Sequence, residues 1–232
     1  MNETSFIKTT KRTIVYPRRA IGYIAFLMPF VLTFGTKIIG VCDTIQSSIS
    51  AYYHTDMRWV LLGSMIAIAL LLVSYKGYNK ADEYTTNIAA FLAVGIIIFP
   101  SEVAFFPECT ITTEPPQIYE YKLHNAFAGF FFLALAYMSY FIFTRSSLHP
   151  QFRKKAKVYR NRVYRICAIT ILACMILIIV YKLFLEEIVF ITKIKPIFWL
   201  ESIAMLAFGT SWLTKGQVLF RDVKLKDLDE LS

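Results

Sequence analysis

Long apolar runs alternate with short polar connections along this chain, and six of the runs approach the length of a membrane span. A helix needs roughly 20 residues to cross about 30 Å of hydrocarbon at about 1.5 Å per residue. The runs fall near Ile21–Ile39, Trp59–Tyr75, Asn87–Phe106, Leu123–Phe143, Ile166–Leu185 and Ile197–Thr214. They are continuous and do not alternate polar with apolar residues, so the pattern favours helices, whose backbone bonds close within the segment, over a β-barrel. The expected fold is all-α, a polytopic membrane bundle of six transmembrane helices. It forms one domain over residues 1–232, with short tails at 1–19 and 216–232.

Composition supports the class. Of the 232 residues, 56% are hydrophobic and 18% charged, more apolar surface than one soluble core can hide. Charge adds an orientation. One set of connections carries Lys8, Lys11, Arg12, Arg18, Arg19, Lys76, Lys80, the cluster from Arg145 to Arg165, Lys215, Arg221, Lys224 and Lys226. Because Lys and Arg gather on the cytoplasmic side, both termini are expected there, in a multi-pass protein of the cytoplasmic (inner) membrane. The other connections carry Asp43, Asp56, Glu102, Glu108, Glu114, Glu120, Glu186 and Glu187 and are expected to face outward. The first run follows Arg18-Arg19 and has no small-residue cleavage site after it, so it is expected to be retained as a helix.

The spans carry further signals. Gly63 and Ala67, four apart, would form a small face for close helix approach, as would Ala207 and Ser211. The third run is unbroken only over Ile88–Phe99, so part of Pro100–Phe106 is expected at membrane depth, with Glu102 at the hydrocarbon boundary. An ionisable group costs about 2.5–3.5 kcal/mol at mid-bilayer on insertion scales and less at the edge, so Glu102 should have a partner. Lys182 and Glu186, four apart, should pair, and Cys167 and Cys174 read as buried thiols.

Candidate chemistry concentrates in Ser48–Trp59, which supplies Ser48, Ser50, Tyr53, His54 and Asp56 beside a span. Thr55 or Asp56 suits an N-cap for the second helix, and Arg58 and Trp59 suit interfacial anchoring. His54, Glu102, His124 and Glu201 fall at one depth on four helices or their approaches, and are expected to converge. They could form a plain hydrogen-bond network; taken singly, His54 reads as a satisfied interfacial histidine and His124 as one bonded to a backbone carbonyl. They could also supply a zinc-type ion with His54, His124 and Glu102, although no HExxH or HxxxH spacing is present. No cofactor is otherwise expected.

Two features outside that group matter. Arg153, Lys154, Lys155, Lys157, Arg160, Arg162 and Arg165 form a cationic juxtamembrane segment, and each basic residue near a surface is worth about 1 kcal/mol toward anionic lipid head groups. A protein partner acting through 145–165 is the alternative; no nucleic acid is expected, because no recognition fold accompanies the charge. Cys42 and Cys109 share the outer side, where disulfides persist, and could bridge if their Cα atoms come within about 7 Å. Two separate thiols are the alternative.

The Ser48-to-His54 spacing resembles the serine and histidine motif of the membrane hydrolase superfamily of alkaline ceramidases and adiponectin-type receptors. That resemblance implies a zinc-dependent lipid hydrolase; the superfamily's late HxxxH pair and seventh helix have no counterpart here. The six-span layout, the Ser-Ile-Ser segment before the second run and His124-Asn125-Ala126-Phe127-Ala128 are also similar to uncharacterised bacterial six-span membrane proteins, which implies a fold and no activity. The function expected from the residues is an outward-facing polar pocket for a lipid head group or small amphiphile. The alternatives are a membrane-embedded hydrolase acting on a lipid ester or amide, and a non-enzymatic effector or accessory subunit signalled through its basic loop.

Overall fold

The computed structural model describes residues 3–39, 42–75, 77, 80–103, 109, 111, 116–146 and 155–220, with side chains from residue 15 onward. Seven α-helices run through them: α1 Glu3–Ile39, α2 Arg58–Val73, α3 Lys80–Ile98, α4 Ile118–Tyr137, α5 Lys155–Val180, α6 Val189–Lys193 and α7 Pro196–Lys215. A 3-10 turn at Ser50–His54 precedes α2, and π-helical turns extend α4 over Met138–Ile142 and α5 over Tyr181–Leu185. Among the described residues there is no strand.

Five stretches are long and apolar enough to cross a membrane: Val15–Ile39, Lys80–Ile98, Ile118–Ile142, Lys155–Leu185 and Pro196–Lys215. The expected second span, Trp59–Tyr75, corresponds to α2, which at 16 residues over Arg58–Val73 is shorter than these five. Helix α3 differs in position. It takes its length from Lys80–Thr86 at its start and ends at Ile98, because Pro100 has no N–H to donate and disfavours helical backbone at Phe99; residues 104–106 of the expected run lie outside the described residues. Starting early is possible because Asp82, fully buried, is paired with Arg145 at 2.5 Å. Helix α4 also begins before the apolar run, where the Glu120 carboxylate accepts the Gln117 N–H at 2.7 Å. Residues 3–19, expected as a tail, continue α1. Arg153 and Lys154 lie outside the described residues, as does the tail beyond Phe220.

The helices close a ring in which α1 packs on α2, α2 on α3, α3 on α4, α4 on α5, α5 on α7 and α7 on α1. The deepest face belongs to α7, which buries Phe198, Ala204, Met205, Phe208 and Trp212. The Trp212 indole meets Phe143 and Tyr75 edge-on at ring-centroid distances of 5.1 and 5.3 Å, joining three helices at the end opposite the histidines. Ser211, also fully buried, bonds Ser139 at 2.5 Å, and Ser139 donates to the Tyr164 carbonyl at 3.0 Å. Polar side chains of this kind hold helices together where lipid offers no hydrophobic drive.

Close helix approach occurs at glycines other than the one expected. A Cβ on Gly209 would lie 2.7 Å from the Phe26 nitrogen and 2.9 Å from the Gly22 carbonyl oxygen, so α1 and α7 touch backbone to backbone. Gly63 has nothing within 4 Å of such an atom and makes no close contact. Gly209→Ala should therefore lower the thermal midpoint, at about 1–3 kcal/mol of overpacking. Gly63→Ala should be neutral or stabilise by up to about 1 kcal/mol through helix propensity. Thermal unfolding of the two purified variants side by side checks the assignment, and equal midpoints would contradict it.

Candidate functional site

The early end of α3 creates the site. Its last carbonyls have no helical partners, and in a low-dielectric setting each must be satisfied. His124 on α4 places Nδ1 2.8 Å from the Phe99 carbonyl, and His54 places Nε2 2.8 Å from the Ser101 carbonyl. A carbonyl only accepts, so the proton sits on Nδ1 of His124 and on Nε2 of His54. Both rings are buried, with 4% and 3% of their surface exposed.

The segment before α2 is tied down on every side. Cys42 and Cys109 form a disulfide, their Cα atoms 4.9 Å apart. Ser48 Oγ accepts the Ala51 N–H at 3.0 Å and lies 3.1 Å from Ser50 Oγ, while Ser101 Oγ donates to the Ser50 carbonyl at 3.0 Å. From α7, Glu201 Oε2 accepts the Ile49 N–H at 2.7 Å, and the Phe198 N–H donates to the Ser47 carbonyl at 3.0 Å. Lys195 Nζ donates to the Ile45 carbonyl. From α1, Thr33 and Tyr52 share a hydroxyl bond of 3.2 Å. Gly35 leaves room that the Met57 thioether fills.

Against this segment opens a cavity of about 550 Å³ between α4, α5 and α7. Ser48, Ser50, Glu102, His124 and Glu201 all line it, so five of the eight expected site residues share one space. Ser50, His124 and Glu201 also line a narrower apolar cavity of about 60 Å³, walled by residues such as Leu61, Met65, Phe131 and Phe208, with Tyr53 beside them. His54 lines neither cavity; it supports the α3 terminus from behind. Tyr53 accepts from Arg58 Nη2 at 2.6 Å, with the guanidinium 4.2 Å from its ring centre. Asp56 is exposed and lines neither cavity, and neither it nor Thr55 caps α2 as expected: the N-cap is Met57, with no side-chain cap bond, and the Thr55 hydroxyl accepts the Met57 N–H at 3.2 Å.

Charge enters through a residue whose place in the site the sequence did not indicate. Lys182 lies 3.3 Å from Glu102 and 2.8 Å from Glu186, so the partner required for Glu102 comes from α5. The spacing to Glu186 was visible along the chain. The π-turn that carries Lys182 to the cavity, together with Lys195 from the α7 approach, was not.

Among the described residues, no group of three or more His, Cys, Asp or Glu is placed to hold a metal ion. The hydrogen bonds described for Glu201 and His124 go to backbone groups, and those of Ser48 and Ser50 go to each other and to backbone. At the opposite end, Lys157 donates to the Phe143 carbonyl at 3.0 Å and Arg160 to the Phe220 carbonyl at 2.7 Å, while Lys155, Arg162 and Arg165 are exposed. No family model, curated protein or solved structure matches the chain.

Burial holds the His54 imidazole below its usual 6.5; the Ser101 carbonyl pulls the other way, and the Arg58 charge adds to the depression. As pH falls, the unfolded chain takes up this proton first. Stability attributable to His54 is therefore complete above about pH 6.5 and declines below it until the folded ring protonates too. The thermal midpoint should fall between about pH 6.5 and 5, and His54→Gln, which keeps a donor for Ser101, should flatten part of that fall. An identical pH slope in the variant would assign the effect to other groups.

Proposed function

We propose that this is a multi-pass protein of the inner membrane whose outward-facing cavity binds an amphiphile, with the head group at the Ser48–Glu102–Lys182 rim and the chain against the apolar wall. The observation that carries this reading is the cavity's two-part lining. Ser48, Ser101, Glu102, Lys182 and Glu186 lie at helix ends, whereas Phe132, Met175, Ile178 and Ile179 lie further along α4 and α5. Sites of about 300–1,000 Å³ that combine apolar walls with a few polar groups are typical of small-molecule binding, and about 550 Å³ falls within that range. The proposed orientation rests on the distribution of Lys and Arg. In it, Lys155, Arg162 and Arg165 meet the cytoplasmic leaflet and its anionic head groups.

Gly129 offers a clean test, because it lines the cavity and a Cβ there would meet nothing within 4 Å. Gly129→Trp should fill the space from a position that tolerates a side chain. Bound lipid, counted by native mass spectrometry of the purified protein, should fall about tenfold, equivalent to about 1.4 kcal/mol, with the thermal midpoint of the delipidated protein unchanged. Undiminished lipid would remove the cavity from consideration.

Orientation is checked separately by single cysteines. Gln117→Cys should react with an impermeant maleimide on intact cells, and Lys155→Cys only after permeabilisation. The opposite pattern would turn the cavity toward the cytoplasm.

A further inference from the structure

The rim of the cavity carries charges in an order that points to a kind of head group. Glu102, Glu186 and Glu201 contribute three carboxylates to the lining, against the two ammonium groups of Lys182 and Lys195. Glu201 lies deepest and is engaged with the Ile49 N–H. At the mouth, Lys182 stands between Glu102 and Glu186. An ammonium has three N–H donors, and these two contacts occupy two of them, while each carboxylate has lone pairs for further donors.

The three side chains are 34%, 56% and 47% exposed for Lys182, Glu102 and Glu186. Ion pairs so well hydrated contribute little by themselves. Their contribution would grow if a ligand displaced the water around them, because the effective dielectric falls. The helix end is shaped for that contact: across the π-turn, the consecutive residues Tyr181, Lys182 and Leu183 all line the cavity, with Glu186 following. Turns of this type recur at functional sites.

We infer that the cavity selects a zwitterionic phospholipid bearing a primary amine, its phosphate on the remaining N–H of Lys182 and its ammonium on the outer lone pairs of the Glu102 and Glu186 carboxylates, on the side away from Lys182. This rests on the amphiphile-binding reading above and adds the head-group class to it. The negative–positive–negative order of the rim complements the adjacent phosphate and ammonium of such a head group. A purely anionic head offers the two carboxylates at most hydroxyl donors and no positive charge. A trimethylated amine would bring charge without N–H donors. Ser48, Ser50 and Ser101 lie beside the rim at the level of the glycerol ester oxygens, and the apolar walls of α4 and α5 take the chains.

The test is native mass spectrometry of the full-length protein, delipidated in detergent and offered equimolar dioleoyl phosphatidylethanolamine, phosphatidylcholine and phosphatidylglycerol. The ethanolamine lipid should be retained about fivefold or more over either competitor, the range expected when partly exposed carboxylates each gain an N–H donor. Glu102→Gln with Glu186→Gln should abolish the preference while total bound lipid persists. Lys182→Met should weaken retention of all three lipids. If the double variant does not fold, Glu102→Gln alone, at a half-exposed position, should reduce the preference measurably. Three lipids retained equally by the native protein, but lost in Gly129→Trp, would overturn the head-group assignment and leave the amphiphile cavity standing. Retention that Gly129→Trp does not affect would overturn both.

Discussion

Backbone groups left over where helices stop are the constraint on which the site end of this protein depends. Proline at position 100 ends α3 before its last carbonyls find helical partners, and the segment after α1 brings further unpaired groups to the same level. In surroundings poor in water each such group costs on the order of kilocalories per mole unless it is bonded. Imidazoles from two directions take the carbonyls, and one carboxylate on α7 takes an N–H. His54, His124 and Glu201 thus bond backbone groups that the helix ends leave over, and the cavity opens beside them.

The same logic explains why α7 lies at the centre of the packing. Its start bonds the segment that shapes the cavity, its middle lies against the backbone of α1 at Gly209, and its end carries the Trp212 indole into an aromatic group drawn from α2 and the turn after α4. Shifting α7 along its axis would break contacts at all three levels together. The cavity walls are therefore set by a rigid helix on one side, with α4 and the end of α5 opposite.

Much of the architecture was legible in the pattern of apolar runs, because a span announces itself by the residues it shows to lipid. Boundaries were not. Helix α3 begins at Lys80, seven residues before its expected start at Asn87, because the buried Asp82–Arg145 pair makes a polar first turn tolerable, and no local pattern reveals a partner 63 positions away. The chance of a disulfide between Cys42 and Cys109 followed from counting spans, since both fall at the same end. The membership of Ser48, Ser50, Glu102, His124 and Glu201 in one cavity followed from depth alone. Depth does not give azimuth, however, so His54 and Asp56, at a similar level, lie off the cavity. Lys182 was hidden for a related reason: a π-turn changes the angular position of each residue it contains, and helical periodicity cannot anticipate it.

The disulfide has a consequence for how the chain is threaded. It joins positions 67 residues apart, and everything between them, including α2 and α3, belongs to one closed covalent ring. Helices α1 and α4 enter and leave that ring at nearly the same point. A cut in the short connection after Val73 would open the ring without dividing the molecule, whereas a cut between α4 and α5 would divide it at once. The α2–α3 hairpin is thus tethered at both ends, to the α1 and α4 against which it packs.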